Sequence, residues 1–131
     1  MKRLAVVTVL LLAAVLALSA VASASGTLSG SYRTRIGAKP LGGQLEGTWT
    51  IKFSHGNYKV SLGSRTAVKG KYTISGSTVR LGQETGPLAC SSTGTYRYRI
   101  SGSTLKFTRV SDGSSACAGR AAVLAGSFTK V

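Results

Sequence analysis

Tyr72-Thr73-Ile74-Ser75-Gly76-Ser77-Thr78-Val79-Arg80-Leu81 returns 26 residues later as Tyr98-Arg99-Ile100-Ser101-Gly102-Ser103-Thr104-Leu105-Lys106-Phe107. Each copy reads as strand, turn, strand. Glycine supplies the positive φ of a tight hairpin, and the flanking serines bond to nearby backbone. Two copies do not make a solenoid, which stacks three or more units. They fit a β-meander whose successive hairpins use one local solution.

The alternation continues on both sides. Trp49, Ile51 and Phe53 alternate with Thr48, Thr50 and Lys52, and Tyr58, Val60 and Leu62 with Lys59 and Ser61. Val68, Gly70, Tyr72 and Ile74 form another inward set, as do Tyr96, Tyr98 and Ile100. Period 2 with one apolar face predicts half-buried antiparallel strands. Ser54-His55-Gly56-Asn57 separates two of them, and Asp112-Gly113 opens a longer turn. Eight strands are expected, near 28–36, 47–54, 57–63, 66–75, 78–83, 94–101, 104–110 and 120–130. The alanine-rich Ala118–Ala125 stretch allows a helical turn at the start of the last. Residues 37–45, with Pro40 and Gly42-Gly43, form a loop. An up-and-down barrel removes the open edges that such a meander would expose. The alternative is an Ig-like sandwich. Its bridge flanks a core Trp in the order Cys, Trp, Cys, whereas Trp49 here precedes both cysteines.

The N-terminus predicts the compartment. Lys2 and Arg3 precede an apolar run from Leu4 to Leu18, and Ala22-Ser23-Ala24 fits the A-x-A cleavage pattern. This is a secretory signal peptide, residues 1–24, with a run too short for a span of roughly 20 residues. Residues 25–131 are one domain by length. Export makes a disulfide the expected state of Cys90 and Cys117, the only cysteines in the chain. Zinc needs three or four ligands, and the only histidine is His55, so neither a metal nor a cofactor is expected.

The order Gly47-Thr48-Trp49 at a strand start, a meander of short hairpins, the late Cys117, and Arg120 leading to a terminal Phe128 strand resembles the calycin group. It is most similar to small lipocalin-like proteins exported by actinobacteria. The resemblance implies an eight-stranded antiparallel barrel over roughly residues 28–131. In that group the G-x-W tryptophan closes one barrel end and a late basic residue packs across its ring. The resemblance implies that Trp49 and Arg120 make this pair.

Enzymatic chemistry finds little support. A catalytic site needs a base, a nucleophile and a charge stabiliser together. His55 sits in a Gly-Asn turn, Glu46 precedes a strand, and Glu84 and Asp112 read as loop residues that no spacing brings together. A non-enzymatic binding protein is therefore expected. Trp49, Phe53, Tyr58, Tyr72, Tyr96, Tyr98 and Phe107 are the bulky inward residues that would line a pocket for a small apolar ligand, and the small inward Gly70 and Gly94 would leave space beside them.

Charge carries a second reading. The net charge of +14 falls to +12 once Lys2 and Arg3 are removed. Arg33, Arg35, Lys69, Lys71, Arg97 and Arg99 fall on the outward face, with Lys52, Lys59, Arg80 and Lys106. They serve solubility and resistance to edge pairing, or hold the protein to an anionic envelope polymer or lipid headgroups. Tyr and Trp alternate inward, which argues against the exposed stacking platforms of nucleic-acid binding. A secreted monomer is expected, either free or associated with the cell envelope.

Overall fold

The computed structural model describes residues 27–131, and the expected signal peptide lies outside the described residues. Eight antiparallel strands close a barrel in chain order: β1 (Gly30–Ile36), β2 (Gly47–Ser54), β3 (Asn57–Leu62), β4 (Arg65–Ser75), β5 (Thr78–Thr85), β6 (Gly94–Ser101), β7 (Thr104–Ser111) and β8 (Ser127–Lys130). Closure is made by β1 on β8, where Tyr32 faces Lys130 and Arg33 faces Thr129. The up-and-down barrel is the architecture the alternation demands, since closure pairs every edge.

One expected strand is much shorter than its sequence implies. Residues 120–126 do not extend the last strand. Ala118–Leu124 is a short helix, α1, and β8 keeps only Ser127–Lys130. Alanine favours helix over strand. The helix also buries Val123 and Leu124 on one face, which a strand crossing the barrel end would not do. Ile74 differs as well. It lies at the end of the long β4 and is exposed rather than inward.

The two barrel ends are unlike. The turns at His55–Gly56, Gly76–Ser77 and Gly102–Ser103 are tight. At the other end the β3–β4 turn at Gly63–Ser64 is tight but the other three connections are long: residues 37–46 with a 3-10 turn at Pro40–Gly43, residues 86–93, and residues 112–126 with α1. His55 takes a left-handed φ of 50° and Gly56 one of 79°, the backbone of a two-residue hairpin that follows the strand twist. Cys90 and Cys117 form a disulfide that ties the β5–β6 connection to the base of α1.

Aromatic rings fill the tight-turn half. Phe53 packs edge-on to Tyr72 at 5.1 Å and touches Phe107 at 6.5 Å. Phe107 in turn meets Tyr96 and Phe128 edge-on, at 6.3 and 5.8 Å. Such edge-to-face contacts add to the burial of each ring. Among the described residues, no helix is long and apolar enough to cross a membrane.

Candidate functional site

The long-connection half is hollow. A cavity of about 470 Å³ lies there. Its wall is Trp49, Ile51, Val60, Val68 and Leu81, from β2 to β5. Its mouth is shaped by Leu41 and Gln44 of the first long connection, Pro87 to Cys90 of the second, and α1. Leu41 and Leu88 there are 47% and 55% exposed, large apolar side chains at a rim. The Trp49 indole is fixed in the wall, its Nε1 donating to the Leu45 carbonyl at 2.8 Å.

Three of the seven inward aromatics line this space: Trp49, Phe53 and Tyr58. Tyr72, Tyr96, Tyr98 and Phe107 do not line it. They belong to the packed core. The hydroxyls of the three tyrosines are engaged as well, that of Tyr96 with Asp112. Tyr72 donates to the Leu28 carbonyl and Tyr98 to that of Gly76, each at 3.3 Å.

The small inward glycines are not gaps. The Tyr58 ring occupies the space at Gly70, where an added Cβ would fall 2.5 Å from Tyr58 Cζ. At Gly94 a Cβ would fall 2.9 Å from both Arg120 Nη2 and Asp112 Oδ2. These two glycines admit the parts of a buried polar cluster.

Arg120, on α1, is the centre of that cluster. Its Nε donates to Asp112 Oδ2 at 2.8 Å and its Nη2 to Asp112 Oδ1 at 2.7 Å, a bidentate pair. Nη2 also donates to the Ser92 carbonyl at 2.7 Å. Nη1 stands 3.3 Å from Glu84 Oε2. The three side chains are nearly dry: 7% exposed for Arg120, 3% for Glu84 and 0% for Asp112. Two phenols complete matching arms, Tyr58 donating to Glu84 and Tyr96 to Asp112. The Cys90 amide donates to the other Glu84 oxygen at 2.8 Å, which couples the cluster to the disulfide.

Physical causes of the protonation states follow from this packing. Burial would raise the Asp112 pKa, but hydrogen bonds from Arg120 and Tyr96 and the charges of Arg120 and Arg109 outweigh it and hold it below the ordinary value. Burial would lower that of Arg120, but Asp112 and Glu84 together raise it, so the guanidinium stays charged. Burial first, then the neighbouring carboxylate, pushes the Tyr58 and Tyr96 phenols well above their ordinary value.

The reading of Glu84 and Asp112 as unconnected loop residues is therefore corrected. Glu84 lies in β5, Asp112 just after β7, and one guanidinium joins them. Two one-residue bulges explain why alternation hides this. On β5, Gly82 faces Lys71 while Thr85 faces Lys69, so β5 carries an extra residue, and Gln83 takes a φ of 50°. On β7, Arg109 faces Tyr96 and Ser111 faces Thr95, again one residue too many. Each bulge shifts the phase of the strand and re-aims a carboxylate into the barrel.

Cys90, Asp112 and Cys117 also come together, within 4.8 Å, but both sulfurs are in the disulfide and Asp112 is held by Arg120. This group offers no free donor set to a metal. Arg120 and Trp49 both line the cavity, and what occupies the guanidinium is the pair of carboxylates. Arg33, Arg35, Lys69, Lys71, Arg97 and Arg99 are all exposed. The register sets Lys52 opposite Lys59 and Lys59 opposite Lys69, a row of three cations across β2, β3 and β4. No protein-family model, curated protein or solved structure matches this chain.

Proposed function

We propose that this chain is a secreted, non-enzymatic binding protein that holds a small apolar ligand inside a lipocalin-like barrel. The observation that carries the reading is the cavity of about 470 Å³, lined mostly by apolar side chains with Glu84 and Arg120 among them, and opening among the long connections. Small-molecule sites are typically clefts of about 300–1,000 Å³ with an apolar lining and few polar groups. The eight-stranded up-and-down topology is compatible with a calycin-type barrel. Export follows from the N-terminal reading and accords with the Cys90–Cys117 bridge.

The polar groups inside favour binding over catalysis. Glu84 and Asp112 are held by Arg120, and each accepts from a tyrosine. His55 is exposed in a turn at the end away from the cavity. Organic-solvent extraction of protein purified from its native host, followed by mass spectrometry, tests the reading. A stoichiometric apolar compound is the expected result. An extract free of any such compound, together with no binding of added apolar probes, would remove it.

A second reading rests on the lysine row. Like charges directly opposite in a sheet destabilise it, and Lys52, Lys59 and Lys69 stand in that relation. An anionic envelope polymer or headgroup layer would relieve the repulsion. Salt-reversible adsorption to anionic wall polymer, weakened by Lys59→Gln, is then expected.

A further inference from the structure

We infer that the open end of the barrel docks on an anionic lipid bilayer, with Leu41 and Leu88 as its aliphatic anchors. The inference goes beyond the cavity-binding reading and can stand without it. The chain has two prolines, and each directly precedes one of these leucines: Pro40-Leu41 in the first long connection and Pro87-Leu88 in the second. Both leucines stand at the mouth with about half of their surface exposed. Exposed apolar groups clustered at one place mark an interaction surface.

The backbone keeps these side chains outward. The Leu88 amide donates to the Ala67 carbonyl at 3.1 Å and the Ala89 amide to that of Gly86 at 3.2 Å. The Cys90 amide donates to Glu84, and the disulfide holds Cys90 in place. Pro87 has no N–H to satisfy. From Pro87 to Cys90 no amide donor is left for water, so this tip enters an apolar phase without an unpaired donor. Leu41 is presented by strain instead. It takes a left-handed φ of 48° and ψ of 39°, a conformation unfavourable to leucine. Its half-exposed side chain gains little packing in return. Strain of this kind points to a role outside the fold itself.

Charge decides the kind of surface. Lys39 lies two residues before Leu41, and the bond to Ala67 sets Leu88 two residues from Arg65. Both cations are exposed, as are Arg35 and Arg109 near the mouth ends of β1 and β7. Glu46, the exposed acid at this end, is outnumbered. Aliphatic side chains flanked by cations suit an anionic bilayer: the leucines enter the acyl boundary and the cations stay among the phosphates. This surface is distinct from the Lys52–Lys59–Lys69 row, which lies on the barrel wall. On the cavity reading, an apolar ligand would pass from the bilayer through the same mouth without crossing water.

Flotation with large unilamellar vesicles tests the inference. The protein is the mature chain, residues 25–131 with its disulfide formed, so that the apolar Leu4–Leu18 run does not contribute. Vesicles of phosphatidylglycerol mixed into phosphatidylcholine are compared with phosphatidylcholine alone at physiological salt. Binding to the anionic vesicles is expected to exceed binding to the neutral ones at least about tenfold. Leu41→Asn combined with Leu88→Gln should lower it at least about tenfold. Asn tolerates the left-handed backbone, so the first change does not threaten the fold. Lys39→Gln combined with Arg65→Gln should remove most of the preference for anionic lipid. Native-like vesicle binding by the double leucine variant would overturn the inference and assign adsorption to the basic wall. Failure of the native protein to bind either vesicle would overturn it and leave the rim to a protein partner, and equal binding to both would overturn the charge requirement. Propiophenone, a small uncharged apolar probe, titrated without vesicles reads the cavity by itself, so the two readings fail separately.

Discussion

The ring of Tyr58 lies over Gly70, its cross-strand partner, and delivers its hydroxyl to Glu84. The residue without a side chain is what lets the phenol cross the barrel wall and reach the cluster. Gly70 has no left-handed φ, so backbone strain does not require glycine here; space does. Gly70→Ala would put a methyl 2.5 Å from the ring, and the hydrogen bond to Glu84 would hold the ring against it. The expected destabilisation is about 1–3 kcal/mol, the usual cost of overpacking. Denaturant midpoints with unchanged slopes check this.

Stability should respond to pH at both extremes. Asp112 has a lowered pKa in the folded state, so its contribution is full above the ordinary value of 3.8 and is lost as pH falls below it. Tyr58 and Tyr96 have raised values, so theirs is full below the ordinary 10.0 and is lost as pH rises above it. Thermal melts across pH should give a plateau between these limits. Asp112→Asn should lower the plateau and flatten the acid limb. An acid limb as steep as that of the native protein would contradict the assignment.

The bridge should matter to stability more than its two residues alone suggest. Cys90 and Cys117 are 27 residues apart and enclose β6 and β7. Closing a loop of that length is worth about 3.5 kcal/mol in the chain-entropy view. Reduction should lower the denaturant midpoint accordingly, and the oxidised chain should be about two daltons lighter than the reduced one. Reduction should also loosen Glu84, which accepts from the Cys90 amide.

Much of this molecule can be read in the order of its residues, and the limit has a physical cause. Trp49, Phe53, Tyr96 and Phe107 are inward because strict alternation leaves them no other face. The repeated Ser-Gly-Ser hairpins are equally local. The Arg120 cluster is not local. Glu84 and Asp112 break the alternation of their strands through bulges, which period-2 counting does not anticipate. Arg120 reaches them only because α1 turns at the barrel mouth, where the sequence reads mainly as strand. One signal was available: a chain with 17 basic residues retains only three acids, and two of them prove to be its buried counter-charges.

The central claim is that the hollow half of the barrel receives a ligand. The most direct measurement compares propiophenone binding to the native protein and to Val60→Phe. Val60 lines the cavity from β3, and a ring at this position enters the space. The added ring should weaken binding at least about tenfold, while thermal stability holds or rises as apolar surface is buried. Propiophenone binding unchanged in a stably folded Val60→Phe protein would place the ligand elsewhere and contradict the account.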